Sequence, residues 1–192
     1  SGDAMGNCAI SSFVTYLQCP TQYNLNQTQI DSFTSFWPLC TQLWHGHNIT
    51  ANRLDSLYNI TSICCNPVII NSGNSGGMKM GLHNLSSAST DLRVYSSNTI
   101  NLNNLSSANN LTLGVIHPLQ LNSLISVTGD FQIDCPLCDG LPIPNLNSVG
   151  NNLYLWANSY LGLENLQTVG GNLWLQLTNS QQNINGLNGL NQ

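Results

Sequence analysis

Two cysteines in the second half of the sequence have a spacing that could support redox or metal chemistry. Cys135 and Cys138 form a Cys-x-x-Cys pair, as found in a thiol–disulfide couple or in half of a zinc site. Zinc would need a second pair of ligands, and a thioredoxin-type motif would need a helix that begins inside a βαβ unit. Because the surrounding sequence offers neither, we expect a structural disulfide in an inserted loop, with Cys64, Cys65 and Cys8 as alternative partners.

Histidines and carboxylates give two further candidate sites. His45 and His47 alternate along one predicted strand, but no Asp, Glu or further His occurs at a spacing that would complete a metal site. Asp130, Asp134 and Asp139 lie close together, as the acids of a glycosidase would, but no basic residue lies nearby to complete a lyase-like site. We therefore expect no catalytic residue, metal or cofactor, and we place both histidines on the surface of the first strand.

Large aromatic side chains recur at alternating positions of the predicted strands. The pattern places four of them on one face of a sheet, namely Tyr95, Tyr154, Trp156 and Trp174. Exposed aromatic residues at this density indicate a contact surface, either for a protein partner or for sugar rings that stack on them. The alternative is that an added segment or a neighbouring module covers them.

The composition favours a secreted glycoprotein. Only 6% of residues are charged against 41% hydrophobic, so glycans would supply the solubility that surface charge usually gives. Six asparagines begin the Asn-x-Ser/Thr acceptor sequence: Asn26, Asn48, Asn59, Asn84, Asn104 and Asn110. Seven cysteines indicate an oxidising compartment, and their odd number leaves one thiol unpaired: Cys8, Cys19, Cys40, Cys64, Cys65, Cys135 and Cys138.

Charge and hydropathy argue against nucleic-acid binding and against a membrane-spanning helix. The sequence contains three basic residues, too few to neutralise a run of phosphates, so nucleic-acid binding is disfavoured. No apolar run approaches the roughly 20 residues that cross a bilayer as a helix, so we expect no membrane span in this chain.

All these residues must be positioned by an internal repeat of about 20 residues. Residues 145–155 and 165–175 are the clearest copies and match almost column by column. Each copy begins with an apolar anchor, which we place at Cys40, Ile60, Leu85, Leu105, Leu124, Leu146, Leu166 and Leu187. The third residue after the anchor is small or apolar, and an alternating apolar pair follows, as in Leu153/Leu155 and Leu173/Leu175.

This pattern predicts an all-β protein, a right-handed parallel β-helix of about seven coils. Alternation with period two indicates a strand with one buried face, and one strand per repeat indicates parallel sheets along a solenoid. The coils must stack, because no single coil can bury its apolar face alone. A leucine-rich-repeat horseshoe is the alternative, but the repeats lack a longer helical segment and their Gly-Asn and Asn-Asn corners suit tight β-helix turns.

Two polar columns accompany the apolar ones. One precedes the anchors (Asn59, Asn84, Asn104, Ser123, Asn145, Asn165), and the other precedes the strands (Asn66, Asp91, Asn110, Asp130, Asn152, Asn172). Their side chains can hydrogen-bond the backbone and one another at the corners of the coils. An inward amide cannot carry a glycan, so Asn26, Asn48 and Asn110 are the more accessible acceptors.

Residues 1–39 differ from the repeats of residues 40–192 and are assigned to an N-terminal cap. Ile30, Phe33 and Trp37 follow helical spacing, which predicts one short helix over residues 26–37 that covers the end of the solenoid.

The cap resembles the receptor L domain, a family that includes domains of the insulin and epidermal growth factor receptors and fungal cell-wall proteins. The family pattern is Cys-Pro, a short helix, then Cys followed by an apolar residue, a Gly and a strand, and it falls on Cys19-Pro20, residues 26–37, Cys40, Leu43, Gly46 and Ile49. The resemblance implies a Cys19–Cys40 disulfide, a right-handed β-helix and a role in binding or wall structure without enzymatic activity. The Cys64-Cys65 corner, the Cys135/Cys138 insertion and the lack of a recognisable C-terminal cap depart from the family.

The sequence favours a structural glycoprotein of a cell surface, wall or extracellular fibril that self-associates end to end. This expectation depends on residues 185–192, which end in mid-pattern, so that an open coil could dock onto the next one. The expected partners are further copies, or neighbouring repeats of the same protein, and N-linked glycans. The alternatives are a ligand- or glycan-binding receptor-type ectodomain and an ice-binding protein. Ice binding is disfavoured because the outward column mixes Arg, Thr, Gln, Tyr and Trp instead of repeating Thr.

Overall fold

The computed structural model describes residues 19–44, 46–65, 68–72, 81–97, 100–116, 119–179 and 187–190. Most of these residues form a long ladder of strands, which comprises β1 (Asn24–Asn26), β3 (His47–Thr50), β5 (Val68–Ser72), β6 (Ser87–Ser96), β7 (Ser107–Val115), β9 (Phe131–Cys135), β12 (Leu153–Ala157) and β15 (Leu173–Leu177). A second ladder consists of β2 (Gln42–Leu43), β4 (Ser62–Ile63), β8 (Ser126–Val127), β11 (Ser148–Val149) and β14 (Thr168–Val169). It joins the first ladder through β6 and β7, and a separate pair is formed by β10 (Gly140–Pro142) and β13 (Tyr160–Gly162).

Every strand pair is parallel, and the strands wind into a solenoid of about seven coils. The predicted parallel β-solenoid is therefore confirmed. Parallel pairing is what one strand per coil on each face requires, because each strand pairs with its equivalent in the next coil. Among the described residues, no helix is long and apolar enough to span a membrane.

The predicted apolar columns are confirmed by the strand register. The third-position column runs in register from coil to coil, as Leu43, Ile63, Ala88, Ala108, Val127, Val149 and Val169. The alternating pairs also align, with Phe131 between Leu111 and Leu153. These side chains and the anchors from Cys40 to Leu166 form one continuous core. Burying each of the larger ones contributes about 1.5–3 kcal/mol, so stacking supplies the main stabilisation.

The last anchor was placed at the wrong residue. In earlier coils the anchor N–H donates to the carbonyl three residues before it, as from Leu166 to Leu163 at 3.0 Å. In the last coil the same bond runs from Leu190 to Leu187 at 3.2 Å. Leu190 therefore takes the anchor position, and Leu187 continues a further apolar column, three residues before the anchors, that the sequence analysis did not single out.

The corner columns are confirmed as hydrogen-bonded ladders. Before the anchors, an asparagine Nδ2 of one coil donates to a backbone carbonyl of the preceding coil at 2.5 to 3.5 Å, with acceptors on Pro38, Tyr58, His83, Asn122 and Pro144. Before the long strands, the side chains bond to one another and to the next backbone N–H. Asn66 of this column lies outside the described residues.

The cap contains two short helices instead of the single predicted one. Helix α1 (Gln27–Asp31) and helix α2 (Phe33–Phe36) are separated at Ser32. Asn26 begins α1 with a capping box, in which its Oδ1 accepts from Gln29 N–H at 3.1 Å and Gln29 Oε1 accepts from Asn26 N–H at 3.0 Å. The predicted apolar stripe is present, with Ile30 and Phe33 fully buried. Strand β1 pairs with β3, so the cap is continuous with the sheet.

Five of the six described cysteines are disulfide-bonded. Cys19 is bonded to Cys40, as the family resemblance implies, and Cys135 is bonded to Cys138, as expected for a structural disulfide. Cys65 is also disulfide-bonded. Cys64 is the free thiol among the described cysteines; it is buried, and burial raises its pKa, so little thiolate forms at neutral pH. Cys8 lies outside the described residues.

Candidate functional site

Two columns of outward side chains run across the long ladder. The first places Arg93, Thr112, Gln132, Tyr154 and Trp174 in register on successive strands. The second places Tyr95, Gly114, Asp134, Trp156 and Gln176 in register. The four predicted aromatic residues therefore lie on one face of the sheet, in two adjacent columns rather than in one cluster.

A groove lies on this face and crosses four strands, β6, β7, β9 and β12. Its volume is about 330 Å³, and it is lined by Asp91, Arg93, Tyr95, Asn110, Thr112, Asp130, Gln132 and Tyr154. This volume lies at the lower end of the range of about 300–1,000 Å³ that is usual for small-molecule sites. Tyr95 and Tyr154 belong to the groove, whereas Trp156 and Trp174 lie beyond its lining, farther along the same face.

The polar wall of the groove is a hydrogen-bonded chain. Asn110 Nδ2 donates to Asp91 Oδ1 at 2.6 Å, and Asp130 N–H donates to Asn110 Oδ1 at 2.7 Å. Asp130 Oδ1 in turn accepts from Asn152 Nδ2 at 2.9 Å and from its backbone N–H at 3.1 Å. Arg93 lies 3.5 Å from Asp91 and adds an exposed ion pair. The wall is therefore fixed before any ligand arrives, which limits the entropy lost on binding.

Tyr95 lies over a glycine on the neighbouring strand. A Cβ added to Gly114 would come within 2.7 Å of Tyr95 Cδ1, closer than side-chain atoms pack. A glycine inside a strand weakens the strand, and it often marks a close approach of another group. Here the missing side chain leaves room for the Tyr95 ring at the side of the groove.

The aspartates near the groove lie in three different places. Asp91 and Asp130 line the groove, and both accept hydrogen bonds from asparagines of the ladder. Asp134 belongs to the second outward column, and Asp139 accepts from Asn158 Nδ2 at 2.6 Å in the loop after β9. The part of the chain that the structure describes contains no group of three or more His, Cys, Asp or Glu residues able to hold a metal ion.

The expectation that His47 lies on the surface was wrong. His47 is only 1% exposed, and its Nδ1 lies 2.9 Å from the carbonyl oxygen of Gln22, in the segment that leads into β1. The strand alternation starts one residue out of phase with the expectation, because His47 and Ile49 point inward while Asn48 and Thr50 point outward. His45 lies outside the described residues.

The three more accessible glycan acceptors differ in their surroundings. Asn26 is exposed at the start of α1, and Asn48 accepts a 3.2 Å hydrogen bond from Asn71. Asn110 is partly buried, its Nδ2 is used by Asp91, and it lines the groove. A glycan on Asn110 would therefore lie in the groove. Glycosylation remains a prediction for all six acceptors, including Asn59, Asn84 and Asn104, whose amides bond the preceding coil.

The sequence patterns predicted the two tyrosines of the groove as part of a contact surface and Asp91, Asn110 and Asp130 as corner residues, but they assigned no polar residue to a binding site. Nothing in the sequence around Thr112 or Gln132 indicates a binding residue. Only the strand register places them between Arg93 and Tyr154. A scan against protein-family models and searches among curated proteins and solved structures find no match to this chain. Its function must therefore be argued from the geometry of the groove.

Proposed function

We propose that this chain is an extracellular, non-catalytic recognition module that binds a ligand on the outward face of its long ladder. The groove between Tyr95 and Tyr154 carries the proposal, because it combines a preformed polar wall with aromatic side chains on a rigid sheet. Small ligands bind in largely preformed concave sites, where fixed polar groups set their orientation. The solenoid acts as the scaffold.

Disulfide bonding supports the extracellular setting. Cys19–Cys40, Cys135–Cys138 and the disulfide of Cys65 belong to an oxidising compartment. The six acceptor asparagines and the low charge are consistent with a secreted glycoprotein. The resemblance to receptor L domains stays part of the proposal, and it gains support from the Cys19–Cys40 bridge and from helices between these two cysteines.

Fragment mapping by nuclear magnetic resonance tests the proposal without assuming a ligand class. An isotope-labelled chain is titrated with a library of small polar and aromatic fragments. We expect amide shifts to concentrate on β6, β7, β9 and β12, because preformed pockets are where fragments bind best. Replacing Tyr95 with Ala should reduce these shifts. Fragments that gather elsewhere on the chain, or nowhere, would refute the assignment of the face.

The burial of β15, the last long strand among the described residues, favours a second function, end-to-end assembly. On β12, Leu153, Leu155 and Ala157 are fully buried. Their register partners on β15, Leu173, Leu175 and Leu177, are only partly buried. A strand of a second copy could pair along β15 and cover these side chains, and a contact between unlike ends can continue into a filament.

Sedimentation velocity over a range of concentrations tests assembly. With the chain produced free of glycans, we expect the weight-average mass to rise above the monomer mass of 20.8 kDa with concentration, and we expect Leu175→Asp to abolish the rise because it places a charge in the contact. Gln176→Asp is the matched control, since Gln176 is the adjacent residue in the outward column. A constant mass of 20.8 kDa throughout, or equal effects of the two variants, would exclude this assembly.

A further inference from the structure

We propose that the groove on the outward face binds a short neutral saccharide. The inference rests on the proposed function, since it names the class of ligand that the same groove would take. It follows from three properties of the lining residues: the mixture of hydrogen-bonding groups, the positions of the aromatic rings and the balance of charge.

A sugar displays hydroxyl groups along its rim, and each hydroxyl both donates and accepts hydrogen bonds. The lining offers the matching set. Asp91 and Asp130 accept, Arg93 donates, and Thr112, Gln132 and Asn110 can do both. The ladder contacts use Oδ1 of Asp91 and Oδ1 of Asp130, and Arg93 pairs with Asp91 Oδ2. A groove that offers both acceptors and donors suits a polyhydroxylated ligand better than an apolar one.

Sugar rings also have apolar faces of C–H groups, which pack on the negative faces of aromatic rings. Tyr95 lies at the β6 side of the groove and Tyr154 at the β12 side. Four strands at the usual spacing extend over about 14 Å. A short saccharide could therefore contact the polar wall along its length and a tyrosine at each end. Trp174, which follows Tyr154 in register, would extend the surface for a longer chain.

The charges of the lining disfavour anionic ligands. Two carboxylates, Asp91 and Asp130, stand against one guanidinium, and Arg93 is already paired with Asp91 at 3.5 Å. A phosphate, sulfate or sialic acid would meet net negative charge and no free cation in the lining. Arg93 remains able to donate to an uncharged hydroxyl, because a guanidinium has five N–H donors.

An extended peptide is also disfavoured as the occupant. Peptides that bind sheets usually add a strand to an unpaired edge. Strands β6, β7 and β9 have a parallel neighbour on each side, so their backbone groups are already used within the ladder. The groove therefore presents side chains, and side chains of these types read hydroxyl groups.

Glycan-array binding followed by calorimetry tests the inference. The chain is first produced in an oxidising host that adds no N-linked glycans, so that no sugar on Asn110 occupies the groove. The probes are arrayed neutral oligosaccharides of hexoses and N-acetylhexosamines, with sialylated and sulfated ones beside them. We expect binding to neutral probes, and the strongest one is then titrated in solution.

Three variants locate the binding in the groove. Tyr154→Ala should weaken binding about tenfold, as expected for an aromatic anchor. Gln132→Ala should weaken it roughly fivefold, the value of one hydrogen bond. Gly114→Ala should weaken it by displacing the Tyr95 ring, without removing any lining side chain. Tyr58→Ala is the matched control, because Tyr58 is a comparably exposed aromatic residue outside the groove, and it should leave binding unchanged.

The outcomes separate this inference from the proposed function. Binding only to sialylated or sulfated probes, binding to no probe, or binding that survives Tyr154→Ala and Gln132→Ala would overturn the saccharide assignment. If fragments nevertheless map to the groove, the recognition face stands and its ligand belongs to another class. If the fragments also fail to map to the groove, the recognition face is refuted together with the saccharide assignment.

Discussion

Replacing Phe131 with Ala should lower the free energy of unfolding by about 3–5 kcal/mol, the cost of removing a large aromatic side chain from a packed core. Phe131 is fully buried at the centre of the array and is in register with Leu111 on β7 and Leu153 on β12. Each coil is stabilised chiefly by its neighbours, so the cavity weakens two coil interfaces at once. Chemical unfolding followed by circular dichroism measures the loss.

The adjacent residue provides the control. Gln132 follows Phe131 on β9 and is exposed on the opposite face. Gln132→Ala should change stability by no more than about 0.5 kcal/mol, although we expect it to weaken ligand binding. Similar losses of stability for the two variants would contradict the register and, with it, the inward and outward assignment of every residue in the long ladder.

The core could be predicted from the sequence because its signal repeats. Leu153 and Leu173, or Val149 and Val169, recur at the same place in each copy, and period-two alternation settles which side is buried. The corner asparagines could be predicted for the same reason, since a turn that recurs in every coil leaves the same backbone groups to be satisfied. Comparing successive repeats within the chain therefore showed which positions are buried, as an alignment of related sequences would.

The departures occur where the repeat is weakest. Leu187 and Leu190 both border the last turn, so the sequence alone does not show which of them is the anchor. The hydrogen bond from Leu190 N–H to the Leu187 carbonyl identifies Leu190. The phase of β3 could not be read from two histidines, because the alternation has no long apolar pair on that strand to fix it. The helix break at Ser32 has no proline or glycine to announce it.

The groove could be predicted only in part, because it belongs to no single coil. Tyr95 and Tyr154 were visible as outward aromatics, but the groove arises from Arg93, Thr112 and Gln132 in three different repeats, which do not resemble one another. Variation between repeats in the outward columns, against constancy in the inward ones, is what a solenoid with a binding face requires. The core must repeat so that the coils stack, whereas the outward side chains are free to vary from coil to coil.

Removing the Cys19–Cys40 bridge should cost about 3 kcal/mol through the greater entropy of the unfolded chain. The two cysteines are separated by 21 positions, and the loop between them contains β1, α1 and α2. We expect a Cys19→Ala/Cys40→Ala variant to unfold at lower denaturant concentration. Its α1 and α2 amides should exchange hydrogen fastest, because the bridge ties the cap to the first coil, whereas β7 and β9 should keep their protection.

The second bridge serves as the matched comparison. Cys135 and Cys138 are separated by three positions, so a Cys135→Ala/Cys138→Ala variant should lose only about 2 kcal/mol on the same entropic model. Its faster exchange should be confined to the loop between β9 and β10. Equal losses of stability for the two double variants would show that the Cys19–Cys40 bridge does not specifically stabilise the cap. Faster exchange spread evenly over the whole solenoid would show the same. In that case the pairing of β1 with β3 and the packing of Ile30 and Phe33 are sufficient to hold the cap on the first coil.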